Sequence, residues 1–253
     1  LRLIEVEVVP RLLGIRAQDV AAEIVAPPTG LMVTHDIVEE FTQLVLVEDA
    51  AVAGAYVDVL RTQGARIETI YVDLLAQTAR HLGSLWDEDL VDFAQVTVGL
   101  WRLQQVLVAF SPDFQSEDPR PANGQNALMV CAAGEQHSFG LVMIEEFMRR
   151  AGWNLRGGPG LPLNSLGRLV TDEWFTLVCY SLGCDDKLTD LVRSIQLIRK
   201  VSQNRHVRVM VGGPLFIKNP ELVAQVGADG TAADARGAVI EAEKSIPRHA
   251  RGS

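Results

Sequence analysis

The chain has 253 residues, 48% hydrophobic and 22% charged, with a formal net charge of −9. This length favours two domains and a sizeable core, and the acidic balance argues against nucleic acid as the partner. Cys131, Cys179 and Cys184 show neither C-x-x-C spacing nor a disulfide framework. A reducing cytoplasm is therefore expected, and without a secretory segment or a twenty-residue apolar span no membrane is.

Residues 1–30 read as a mixed arm closing in APPTG (residues 26–30), whose prolines and glycine stop a helix. Residues 31–114 read as a four-helix bundle. In THDIVEEFTQLVL, Thr34 is placed as N-cap, and Ile37, Phe41, Leu44 and Val45 recur at helical spacing. Residues 50–63 and 65–82 repeat the pattern, broken at Gly64. A fourth helix from about Asp87 is expected to bury one broad face: Leu90, Phe93, Ala94, Thr97, Leu100, Trp101, Gln104, Leu107 and Val108. That puts Trp101 in the core, sharing a helix face with Trp86 if the helix begins before Trp86.

The stretch SPDFQSEDPRPANGQ, residues 111–125, is the best boundary in the chain. We take residues 115–125 as linker and 126–253 as a second domain. There the period changes. Short apolar runs (ALMVCAA, a weak strand near WNL, WFTLVCYSL, VRVMVGG and a last one near ADGTAA) alternate with amphipathic helices. Five strand-helix units predict a five-stranded parallel sheet with helices on both faces, flavodoxin-like or Rossmann-like. Ligands of such sheets bind beyond the carboxyl ends of the strands, where the strand order reverses.

Three strand ends and the last strand carry the candidate chemistry: GEQHSFG after the first strand, SLG (residues 181–183) after the third, GGP (residues 212–214) after the fourth, and GADGTAADA (residues 227–235) around the fifth. Together they resemble the cobalamin-binding domain of methionine synthase, corrinoid proteins and cobalamin photoreceptors. The D-x-H-x-x-G motif of that family stands here as Glu135-Gln136-His137-Ser138-Phe139-Gly140. The resemblance covers the whole second half, and the bundle suits the family's helical cap. It implies His137 as the lower ligand of cobalt, with Glu135 orienting the ring through its other nitrogen as the family's Asp does, although Glu is one methylene longer. Gln136, Ser138, Phe139 and Gly140 would line the same loop. Ser181 and Leu182 match the strand end beside the dimethylbenzimidazole tail, Gly212 and Gly213 the double glycine along it, and Gly230 the fifth strand passing it. On the bundle, Trp86 matches the tryptophan of the photoreceptors' W-x-x-x-E-H, but Asp87-Glu88-Asp89-Leu90-Val91 supplies Leu and Val where Glu and His would be. His81 is placed as a surface residue.

The pairing of EQHSFG with LWDEDLVDFAQVTVGLWRLQQVL, and the arm's VEVVPRLL, are similar to the PpaA/AerR-type antirepressors of purple photosynthetic bacteria and to the related sensor domain containing haem instead of cobalamin. This resemblance implies a non-enzymatic sensor that binds adenosyl- or hydroxocobalamin, with haem as the alternative, and acts on a transcriptional repressor protein in response to light or redox. A corrinoid shuttle carrying methyl groups for a methyltransferase is the runner-up. A flavodoxin-like interaction module without ligand is the plain alternative. Met129, Met143 and Phe147 read as core, as do the cysteines, with Cys184 alone a candidate thiolate.

Overall fold

A computed structural model describes residues 31–131, 139–158, 163–183 and 185–246. The N-terminal arm lies outside them. The chain divides into two compact units between Asp113 and Phe114.

The first unit is helical, as expected. Helix α1 spans His35–Val47 and α2 Ala50–Thr62. Helix α3 runs from an α-turn, Ile67–Thr69, through a π-helical turn, Ile70–Leu75, into Ala76–Asp87. Helix α4 spans Phe93–Ala109, and a short α5, Ser111–Ser116, lies astride the division. Thr34 is the N-cap of α1, but its side chain makes no capping bond. The bonded caps are aspartates: Asp49 accepts from the Ala51 and Val52 amides at 2.9 and 3.0 Å, and Asp92 forms a capping box with Gln95. Each satisfies amides that have no partner within the helix.

Ile37, Phe41, Leu44 and Val45 are all buried, and the ring of Phe41 lies 5.3 Å from that of Tyr56. The Tyr71 hydroxyl, in the π turn, donates to the Leu107 carbonyl at 2.6 Å and ties α3 to α4. A Cβ at Gly99 would stand 3.0 Å from Leu82, so the glycine lets these two helices approach closely.

Helix α4 corrects two expectations. It begins at Phe93 rather than near Asp87, and it buries Val96, Gly99, Leu103, Val106 and Leu107. The expected face, Leu107 excepted, is therefore not the core face, and Trp101 is 61% exposed. Apolar residues stand on both sides of α4, so periodicity alone could not choose between them. Trp86 and Trp101 also fall on different helices, because Asp89 takes a left-handed conformation (φ 57°) and ends α3. The Leu90 amide then bonds the Leu85 carbonyl, and the Asp89 amide that of Trp86, which is the Schellman pattern.

In the second unit, strands β1 (Asn126–Cys131), β2 (Asn154–Gly158), β3 (Leu177–Ser181), β4 (Arg208–Gly212) and β5 (Gly230–Thr231) form one sheet in the order β2-β1-β3-β4-β5, every pair parallel. The helices are α6 (Phe139–Arg150), α7 (Leu163–Asp172), α8 (Leu188–Val201), the short α9 (Pro214–Lys218) and α10 (Leu222–Gln225), and α11 (Ala235–Glu243). Leu128, Val130, Val178, Tyr180, Val209 and Val211 face α7 and α8 in one core. The alternate residues, Met129, Cys131, Cys179 and Met210, are buried on the opposite face, the side of α6 and α11, which pack on each other. A sheet covered on both faces explains why its strands read as unbroken apolar runs.

Residues 115–125 are tied to this unit. Gln115 donates to the Glu146 carbonyl and carboxylate at 3.0 and 2.8 Å, the Arg120 amide bonds the Arg150 carbonyl, and the Asn123 amide that of Gly152. Met129, Met143 and Phe147 are buried. Burial pushes the Cys179 thiol up to about 12, so almost no thiolate exists at neutral pH. In the native protein at pH 8, Cys179 is expected to resist iodoacetamide and to be alkylated only after unfolding. Peptide mass spectrometry checks this, and prompt native labelling would contradict it.

Candidate functional site at the carboxyl edge of the sheet

The strand order reverses between β1 and β3. The chain leaves β1 towards β2 on one side, and leaves β3 towards β4 on the other. In sheets of this kind such a reversal is where ligands bind, beyond the carboxyl ends of the two strands. The β1–α6 loop holds Glu135, Gln136, His137 and Ser138. All four lie outside the described residues, as does Cys184. Chain connectivity places them between the end of β1 at Cys131 and the start of α6 at Phe139.

Register aligns the described residues of this edge. Cys131 pairs with Ser181, and Ser181 with Gly212. Paired residues in a sheet share a face, so these three small residues form one row across β1, β3 and β4, on the side of α6 and α11. Leu182 is fully buried, and its amide donates to the Gly212 carbonyl at 3.0 Å, which extends the pairing past the strand.

The two adjacent glycines differ in purpose. A Cβ at Gly212 would meet nothing within 4 Å. Gly213 has φ +107°, and a Cβ there would lie 2.2 Å from the Leu182 carbonyl oxygen. Gly213 is thus required by the backbone itself, whereas open space lies beside Gly212. Gly213→Ala is expected to cost about 1–3 kcal/mol or more, read as a lower urea midpoint. An unchanged midpoint would show that the turn relaxes freely.

Gly140, in the first turn of α6, also faces open space, while Phe139 is 7% exposed and packs as an anchor. Gly230 pairs with Met210, two residues short of the Gly212 row, and the space beside it is filled by the Glu241 carboxylate, 2.7 Å from where a Cβ would stand. Two residues of this edge were not singled out in the sequence. Cys131 joins the row only through the register. Gly157 (φ +92°) would place a Cβ 2.2 Å from the Met129 carbonyl, and its signal was the adjacent pair Gly157-Gly158.

In the bundle, Trp86 is 44% exposed, with the ring of Phe93 edge-on to it at 6.5 Å. Leu90 (65% exposed) completes an apolar corner at the α3–α4 turn. His81 is half-buried; its ring stacks on that of His35 at 6.2 Å, with the Thr42 hydroxyl 3.4 Å from its Nδ1. Both histidines line a groove of about 860 Å³ between α1 and α3. Among the described residues, no three His, Cys, Asp or Glu side chains gather as a metal site, and no helix is long and apolar enough to cross a membrane.

Among the described residues this edge offers small side chains and backbone, with open space beside Gly212. Residues 125–240 match the B12 binding domain family. A curated relative from Rhodobacter capsulatus, the "Uncharacterized 20.5 kDa protein in bchF-crtJ intergenic region", is 29% identical over 174 residues, covering 68% of this chain and 89% of its own. The structure of the Methanosarcina barkeri monomethylamine corrinoid protein superposes with a TM-score of 0.73 at 14% identity, covering 83% of this chain and 99% of that one. This likeness shows the fold: a helical part followed by a five-stranded parallel sheet.

Proposed function

We propose that this chain is a non-enzymatic cobalamin-binding sensor that passes its signal to a transcriptional repressor protein. The observation that carries the cofactor assignment is the Cys131-Ser181-Gly212 row where the strand order reverses, with open space beside Gly212, within residues that match the B12 binding domain family. The curated relative, named for its place between bchF and crtJ, is in keeping with the resemblance to photosynthesis antirepressors.

Bound cobalamin would supply a cobalt–carbon bond that light or ligand exchange can break. In this reading the chain's own residues have separate tasks. His137 would offer a neutral imidazole nitrogen to the metal, and Glu135 would accept from the ring's other nitrogen and so set its tautomer. The Ser181 hydroxyl can donate to a tail oxygen or nitrogen. Gly212 and Gly140 admit the tail against the backbone, and the buried Leu182 holds β3 and β4 together beneath it. A signal follows only if the ligand binds two arrangements of the protein with different affinity.

The test is an absorption spectrum of the purified protein mixed in darkness with adenosyl- or hydroxocobalamin and then illuminated, beside His137→Ala. Uptake that changes on illumination and shifts in the variant supports the reading. Haem uptake in place of cobalamin would make this a haem sensor. Methyl transfer with a partner methyltransferase would make it a corrinoid shuttle.

A further inference from the structure

The groove between α1 and α3 lies within the helical unit. The chain itself runs along it, since Leu31, Met32, Val33 and Thr34 line it just before α1 begins. With the buried Val38, the first three make part of the lining apolar. The ionisable lining is mostly basic: His35, Arg66, Arg80 and His81 stand with a single acid, Asp73, in a chain of net charge −9. His35 pairs with Glu39 at 3.1 Å, whereas Arg80 makes no hydrogen bond or ion pair among the described residues. A partly apolar groove with a guanidinium to spare calls for an acidic, amphipathic occupant.

Reach and sequence identify that occupant. Residues 26–30, APPTG, span at most about 17 Å when extended, so the stretch before them, AQDVAAEIV (residues 17–25), ends within that distance of Leu31. A tether this short gives an effective concentration on the order of 1 mM, so even a weak intrinsic contact keeps the stretch bound. Its chemistry is complementary. Asp19 and Glu23 are its only charges, with no Lys, Arg or His from residue 17 to 30, and Val20 and Ile24 stand beside them at the same helical spacing. As a helix the stretch would be about 14 Å long, shorter than the roughly 20 Å of α3 from Thr69 to Ser84 that lines the groove. We propose that residues 17–25 dock in this groove as an intramolecular strap, with an acid of the strap on Arg80 and Val20 and Ile24 over Val33 and Val38.

Hydrogen exchange of the full chain, read by mass spectrometry on peptides from residues 17–30, tests this without any cofactor. A helix this short has little stability alone, so protection must come from docking. In the wild type the amides of residues 17–25 should exchange at least about tenfold slower than in a free peptide. Arg80→Glu should remove most of that protection while α1 and α3 keep theirs, and adding Glu23→Arg to it should restore protection. Arg193→Glu, the same charge change on α8, should leave the strap protected. If Arg80→Glu loses helix by circular dichroism, Gln77→Trp, which fills the groove from α3, serves in its place. Residues 17–25 that exchange at free-peptide rates overturn the proposal. Protection that survives both Arg80→Glu and Gln77→Trp overturns it too, because the stretch would then be held elsewhere.

Discussion

Gly212→Leu is expected to lower cobalamin affinity at least about 100-fold, or about 2.7 kcal/mol, while leaving the urea midpoint of the protein nearly unchanged. The Leu side chain would grow into space that is open in the protein and that the proposal assigns to the cofactor tail. Nothing lies within 4 Å of the new Cβ, so the fold has little to lose. Gly213→Ala is the matched control one residue away, where the cost falls on stability. Titration with hydroxocobalamin in the dark, followed by absorbance, separates the two. A Gly212→Leu protein that takes up cobalamin as the wild type does would remove this row from the site.

Phe147→Ala should destabilise the second unit by about 3–5 kcal/mol, the usual range for truncating a fully packed aromatic ring. Phe147 is 3% exposed and packs 4.8 Å from the ring of Phe114, while the Arg150 guanidinium lies over both rings at 5.1 and 3.9 Å. The truncation removes a buried ring and also undercuts a cation–π stack that holds residue 114 against α6. Denaturant unfolding with an unchanged slope and a lower midpoint would verify it. A loss under about 1 kcal/mol would mean that the neighbouring side chains collapse into the space.

The class of the fold was legible because two different periods follow each other in the chain. Helical spacing runs to about residue 110, and short apolar strands alternating with amphipathic helices run beyond it. The strand ends were legible for the same reason: a buried strand must stop where polar and glycine residues begin, so Ser181, Gly212 and Gly213 marked edges before any coordinates did. The orientation of α4 was not legible. With Val96, Leu103 and Val106 on one side and Val98, Trp101 and Val108 on the other, its burial is decided by which neighbours pack against it, and the sequence of the helix does not hold that information.

At the site, sequence alone marked the loop that carries His137 and the glycines at the ends of β4. Only the tertiary structure decided which small residues stand side by side. Cys131, Ser181 and Gly212 are neighbours through parallel register, a relation between residues about 30 to 50 positions apart that no local pattern encodes. It also gave the two adjacent glycines different work, since a carbonyl oxygen crowds Gly213 and open space faces Gly212. Residue type follows from local chemistry and can be read along the chain; close approach is a property of packed backbones and arises only when the sheet is assembled.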